Sequence, residues 1–177
     1  KGTTIQVKNI FYNTPARRKF VKKKEVEQRA IISIVRKYAL AYPEIKFKLN
    51  SEEREIYNLP TGDLQNRIIS IYGEKVGNYL LPVSFTKGEF YVDGFIGNLS
   101  LVKKRQGDQF LLMNRRTIQD RLMNSAVYSS YRSLISRGEY PFFVLNLTIP
   151  HEIVDVNVHP AKLEVRFQDE WRVYYVL

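Results

Sequence analysis

The chemistry open to this 177-residue chain lies first in its cations. Lys and Arg number 28 against 18 Asp and Glu, a formal net charge of +10. The cations are bunched: Arg17, Arg18, Lys19, Lys22, Lys23 and Lys24 form one run, Lys103, Lys104 and Arg105 a second. Arg115-Arg116 and the pair Arg121 and Arg132 complete the set. Phosphates bind Lys and Arg through Coulomb attraction and counterion release, so such segments converging on one face would grip DNA or RNA without reading its sequence. Singly, each run is ordinary solvated surface; the excess of ten charges favours the polyanion reading for the group. Arg121 follows Asp120 in the first turn of an expected helix, where a cation is electrostatically disfavoured, and an outward phosphate contact explains that placement better than solubility does. Two further segments resist a packing explanation. Asn13-Thr14-Pro15-Ala16-Arg17-Arg18 is a polar turn running straight into cations, and Asp155 to Lys162 alternates polar groups before turning at Pro160. An ammonium on a flexible stem at a rigid turn is one way to reach a terminal phosphate.

Other chemistries are missing from the sequence. It has no Gly-rich loop ending in Lys-Ser/Thr, no Gly-x-Gly-x-x-Gly and no Gly-x-Ser-x-Gly elbow. With no Cys and no His-Glu-x-x-His spacing, His151 and His159 read as a loop and a turn histidine, and no metal site is expected. Zero Cys also removes disulfides and thiolate nucleophiles and fits a reducing compartment. No apolar run has the length of a membrane span, and Lys8 interrupts any signal-peptide pattern. The chain opens on Lys1 rather than Met and is read as a piece of a longer protein.

The elements that would position these residues follow from periodicity. Residues 2–11 alternate as a strand, with Ile5, Val7 and Ile10 on one side. A helix is expected from Glu25 to Tyr42, with Ile31, Ile34, Val35, Tyr38 and Tyr42 as one apolar stripe opposite Arg29, Arg36 and Lys37. Strands at 45–50 and 54–59 form a hairpin, and Asp63 caps a short helix over 64–72 that Gly73 ends. Strands at 80–85 and 89–96 precede an exposed, mobile loop over 97–108. A short strand at 110–113, a second long helix over 120–136 and a nearly all-apolar central strand at 142–149 come next. Residues 156–159 and 163–167 alternate around Pro160, and a helix begins at Asp169. Strand runs interrupted by helices give an α+β fold, a mixed sheet with helices on one face, with one candidate domain boundary in the basic stretch 13–24.

Three segments carry a resemblance. Gly2-Thr3 with Asn13 through Phe20, then Met113-Asn114-Arg115-Arg116 through Asp120-Arg121-Leu122, then Val156-Asn157-Val158-His159-Pro160-Ala161-Lys162 through Phe167, resemble in order and spacing the signature segments of the MutL family of DNA mismatch repair proteins. The His-Pro-Ala-Lys segment is highly specific. The resemblance implies a GHKL-type ATPase domain whose last strand is residues 1–12, and a transducer domain of the ribosomal protein S5 domain 2-like fold over residues 13–177. It further implies that Lys162 contacts the ATP γ-phosphate, that Gly2 and Thr3 lie near the nucleotide, and that Arg121 lines a DNA groove with Arg115 and Arg116 as neighbours. Asn13, Thr14, Pro15, Ala16, Arg17 and Arg18 would form the domain junction.

The family's magnesium-holding Asn, general-base Glu and Asp-x-Gly-x-Gly motif do not appear in the sequence. ATP and Mg2+ are therefore expected in the full-length protein but not with this chain alone, which is expected to be inactive as an enzyme. Implied partners are DNA, the ATPase domain of the same chain, a second copy in a homodimer and mismatch-recognition proteins of the MutS type, with no membrane. The implied location is the bacterial cytoplasm, at the nucleoid, or the nucleus for a eukaryotic source. The alternatives are a nucleic-acid-binding module of S5-like fold without ATP coupling, and the transducer of a type II topoisomerase or Hsp90.

Overall fold

The structure, a computed structural model, describes residues 2–118, 120–155, 166–167 and 170–177. In chain order the elements are α1 (Pro15–Arg18), α2 (Lys24–Ala41), β1 (Phe47–Ser51), β2 (Arg54–Leu59), α3 (Leu64–Tyr72) and α4 (Glu74–Gly77). β3 (Leu80–Lys87), β4 (Phe90–Gly97), β5 (Gln109–Met113), β6 (Arg116–Thr117), α5 (Arg121–Tyr131) and β7 (Phe143–Thr148) follow. β8 (Val154–Asp155), β9 (Arg166–Phe167) and α6 (Glu170–Tyr174) complete the order. The expected Pro160 turn, with Lys162, lies outside the described residues.

The main sheet runs β3-β4-β7-β5-β6, with β5 and β7 parallel and the other neighbours antiparallel. The expected α+β mixed sheet is found, with β7 at its centre. Its helices, however, divide between two faces. Phe143, Leu145 and Leu147 point into one core with Leu111, Met113, Met123 and Val127, so α5 covers that side together with Val173 of α6. Phe142 and Val144 point the other way, into a core with Phe110, Leu40 of α2 and Ile68 of α3. Successive side chains of a strand face opposite sides, so an apolar run such as β7 needs a layer on each.

Three further expectations are corrected. Residues 2–8 are irregular rather than a strand, and Ile5 and Val7 are 83% and 73% exposed. Their alternation has no ladder to join among the described residues, and an unpaired strand leaves its backbone polar groups unsatisfied. α2 forms nearly where expected but is turned: Ile31, Ile34 and Tyr38 are 52–56% exposed, while Arg36 and Leu40 face the body. The second long helix stops at Tyr131, five residues early, and Leu134 is exposed. Ser129 Oγ donates back to the Ala126 carbonyl at 2.7 Å, a local bond that competes with helix continuation.

The short helix over 64–72 matches expectation. Asp63 accepts the Asn66 N–H at 2.7 Å at its start, and Gly73 ends it at φ 96. The hairpin β1–β2 is a separate two-stranded sheet, held to the body through buried Leu59 and the Arg67–Phe47 contact.

At Gly94 the centre of the sheet depends on a missing side chain. Its φ is +135, and a Cβ there would sit 2.1 Å from the Val144 carbonyl oxygen of β7. Gly94→Ala is expected to cost about 3 kcal/mol or more, because neither the dihedral nor the central strand can yield cheaply. Urea unfolding of the two proteins measures this; a loss below 1 kcal/mol would show that β4 and β7 shift apart.

Candidate nucleic-acid interface

The turn between β5 and β6 is two residues long, and Asn114 and Arg115 both have positive φ, 48 and 66. That is the backbone of a tight hairpin turn, unusual for Arg, so the surroundings must impose it. They do so through two asparagines. Asn114 donates to the Ile149 carbonyl and accepts the Ile149 N–H, each at 3.0 Å, and Asn146 Oδ1 accepts the Arg115 N–H at 3.0 Å.

This geometry decides where the Arg115 side chain goes. Its guanidinium donates to the Ala41 carbonyl at 3.2 Å, pairs with Glu44 and lies 5.0 Å from the Tyr42 ring centre. The hydrogen bond from Arg115 holds the Glu44 carboxyl below its ordinary range. Arg115 thus fastens the end of α2, with its charge matched. Arg116, in β6, and Arg121, at the start of α5, are exposed and make no ion pair among the described residues.

α5 starts where Asp120 Oδ1 accepts the Met123 N–H at 2.9 Å, so the carboxylate that precedes Arg121 in the chain is engaged with the helix end. Arg121, Ser125, Tyr128 and Arg132 succeed one another at spacings of four, three and four, one side of a helix. Arg132 keeps helical dihedrals as the C-cap. α5 contains no Asp or Glu. The C-terminal half of this side adjoins the loop after β4.

That loop was expected to be mobile; instead it contains a turn of 3-10 helix, Leu99–Leu101, and is pinned. Lys103 exchanges backbone hydrogen bonds with Tyr140 at 2.9 and 2.7 Å. Its ammonium meets Asp108, and the Tyr140 ring stands edge-on to Tyr128 of α5, with centres 6.2 Å apart. Asp108 is a hub: it also accepts from the Tyr72 hydroxyl at 2.9 Å and lies 3.5 Å from the Arg36 guanidinium of α2. Arg36 lies over the Tyr72 and Phe110 rings. Burial first, then the Asp108 charge, pushes the Tyr72 phenol well above its usual range.

Arg36 is half-buried, whereas Arg67 is a fully buried cation, 1% exposed. It donates to the Ala39, Pro43, Ile45 and Pro60 carbonyls at 2.7–2.9 Å, gathering the end of α2 and both ends of the hairpin connection onto α3. Burial pulls its pKa down, yet a guanidinium keeps its proton at any physiological pH. Arg67 went unremarked in the sequence, although it falls at i+3 within the apolar face Leu64, Ile68, Ile71. A charge inside such a face is a legible signal. The Arg36–Asp108 pair, 72 positions apart, had none.

The other expected site residues are not brought together. Gly2 and Thr3 stand exposed in irregular backbone, and among the described residues nothing builds a triphosphate pocket around them. Asn13 and Thr14 form a turn leading into α1, where Pro15 occupies the first helical position and Ala16, Arg17 and Arg18 follow, with Arg17 and Arg18 exposed. Among the described residues no group of three or more His, Asp or Glu could hold a metal ion, and no helix is long and apolar enough to cross a membrane.

A mixed sheet in this order, layered by helices on both sides, defines an α+β domain of the ribosomal protein S5 domain 2-like class. The model of the family described as "DNA mismatch repair protein, C-terminal domain" matches residues 68–177. The chain is 44% identical over 170 residues to the DNA mismatch repair protein MutL of Chlorobium phaeobacteroides, covering 96% of this chain and 27% of that protein. It is 40% identical over all 177 residues to MutL of Christiangramia forsetii, 29% of whose length it covers. The chain therefore belongs to the MutL family of DNA mismatch repair proteins and spans under a third of the relatives it matches.

Among solved structures, the crystal structure of the N-terminal domain of a DNA repair protein superposes with a TM-score of 0.77 at 21% identity, covering 94% of this chain and 56% of that one. The Aquifex aeolicus MutL ATPase domain complexed with ADP gives 0.59 at 26% identity, covering 81% and 51%.

The Tyr72 phenol carries a pH prediction. It stays neutral in the fold, whereas in the unfolded chain it ionises near pH 10. Its contribution is thus fully present below pH 10 and lost as pH rises above it. Tyr72→Phe is expected to cost about 1–2 kcal/mol at neutral pH through the lost bond to Asp108. Above pH 10 the variant should lose stability less steeply than wild type, by about 1.4 kcal/mol per pH unit. Parallel slopes in denaturant titrations across that range would show that the phenol is not shielded.

Proposed function

We propose that this chain is the transducer part of a MutL-type protein, coupling nucleotide occupancy in an ATPase domain of the same polypeptide to dimerisation and DNA binding. The family match over 68–177 supports the role, and the basic side of α5 supports the DNA contact. Arg121 and Arg116 are exposed cations with no ion pair among the described residues; Arg115 contributes by holding the turn that presents Arg116. Lys162 contacts the γ-phosphate of ATP, and a compact ammonium there distinguishes a triphosphate from a diphosphate. Gly2 and Thr3 lie beside that nucleotide. Mg2+ and the water-activating carboxylate belong to the ATPase domain, so this chain alone neither binds ATP tightly nor hydrolyses it.

The exposed Ile31, Ile34 and Tyr38 stripe, and the exposed Ile5 and Val7, support an ATPase domain that packs against α2 and the opening segment. Asn13, Thr14, Pro15, Ala16, Arg17 and Arg18 then lie at that junction, where a change in nucleotide state alters domain position. A second copy of the protein and a MutS-type mismatch-recognition protein are the assembly partners, in the cytoplasm of a bacterium.

In the full-length protein, Lys162→Ala is expected to lower ATP turnover while circular dichroism and thermal midpoint stay at wild-type values. Unchanged turnover would remove Lys162 from the nucleotide. Arg121→Glu is expected to weaken duplex binding on every sequence tested and to reduce the slope of log affinity against log salt by about 0.9, one phosphate contact. A slope equal to wild type would take Arg121 off the DNA face.

A further inference from the structure

The basic loop after β4 is preorganised on the same side of the molecule as Arg121, at the far end of α5. Lys103 and Asp108 are its two anchors: the first exchanges backbone hydrogen bonds with Tyr140, the second accepts from the Tyr72 hydroxyl, and their side chains pair with each other. Between them Lys104 and Arg105 project exposed, with no ion pair among the described residues. Tyr140, which Lys103 holds through its backbone, packs edge-on against Tyr128, and Tyr128 lies on the helical side that carries Arg121 and Arg132.

Charge around this side is one-sided. Segments 98–108 and 114–140 together hold eight Lys and Arg against three carboxylates. Each carboxylate is turned to internal work: Asp108 to the hub, Asp120 to the α5 cap, and Glu139 to the Ser136 N–H at 2.9 Å. The outer surface therefore presents Lys104, Arg105, Arg132 and Arg137 at one end of α5 and Arg121 at the other, separated by small Ser side chains. Eleven helical residues place those ends about 16 Å apart, roughly five base-pair steps at 3.4 Å each.

We propose that Lys104 and Arg105 form a second phosphate-contact point for duplex DNA, in line with Arg121, so that one duplex lies along α5 and touches both ends. This rests on the DNA-binding reading given above for Arg121. Anchoring on either side of the two cations removes much of the ordering cost that a free loop would incur on binding. The contact is to backbone phosphate, so it adds affinity and salt dependence without sequence preference.

The test uses the full-length protein and fluorescence anisotropy with a fluorescein-labelled duplex over a range of salt. The double variant K104A/R105A should reduce the log–log salt slope by about 1.8, two phosphate contacts at 0.9 each. Arg121→Ala should reduce it by about 0.9, and the three changes together should add. Lys104→Arg should keep the wild-type slope, and thermal midpoints should match for all, since the altered side chains are exposed. If Arg121→Ala lowers the slope while K104A/R105A leaves it unchanged, the second contact point is wrong and the first stands. If neither changes the slope, the DNA reading of this side falls with it. A weaker affinity for K104A/R105A at unchanged slope would also overturn the proposal, because it assigns the loop a shape role rather than a phosphate contact.

Discussion

The structure depends on one constraint: β7 is apolar on both sides and so has to be covered twice. One cover is built conventionally, from α5 and α6 laid over Phe143, Leu145 and Leu147 with apolar side chains. The second is partly fastened by cations. Arg67 gathers four carbonyls, and Arg36 reaches Asp108 across two aromatic rings. Removing one partner from such buried groups costs more than the intact contact contributes, because the other is left without water or protein to satisfy it. The α2 and α3 layer is thereby fixed in one register, while the outward side of α2 keeps its own apolar stripe.

That division explains why the basic side of the molecule is so free of acid. Carboxylates near α5 are used where the backbone or a half-buried guanidinium requires them, at the helix cap, at the hub and at the turn before Tyr140. Their charge is spent inward, and the cations left over face solvent. Arg115 is the exception that clarifies the rule, since its strained turn aims it at α2 and Glu44. Adjacent residues with the same chemistry, Arg115 and Arg116, are thus given different work by a single turn.

Much of this was legible in the sequence. The short helix over 64–72 could be read to the residue because Asp63 and Gly73 are local signals with local mechanisms. β7 could be placed at the centre of a sheet because a doubly covered strand leaves a continuous apolar run. The family segments could be read by resemblance, and the match over 68–177 agrees with them. What failed was nonlocal. The orientation of α2 could not follow from its stripe, since Arg36 is drawn inward by Asp108, far along the chain, and by aromatic rings on α3 and β5. The opening alternation around Ile5 and Val7 is a strand pattern that finds no ladder among the described residues. The pinned loop reads as mobile because its partner Tyr140 comes more than thirty residues after Lys103.

The parallel pairing of β5 with β7 has a kinetic corollary. Every other neighbouring pair in the main sheet is antiparallel, and β3–β4 and β5–β6 can close through short turns. The central parallel pair instead waits until the intervening crossover, residues 114–142, has been threaded across one face. Helix α5 is that crossover, so it cannot be shed locally once the middle of the sheet has zipped. Assembly should therefore be paced by the arrival of β7, which pairs with both β4 and β5 across long sequence separations, with the hairpins forming early and the sheet centre late.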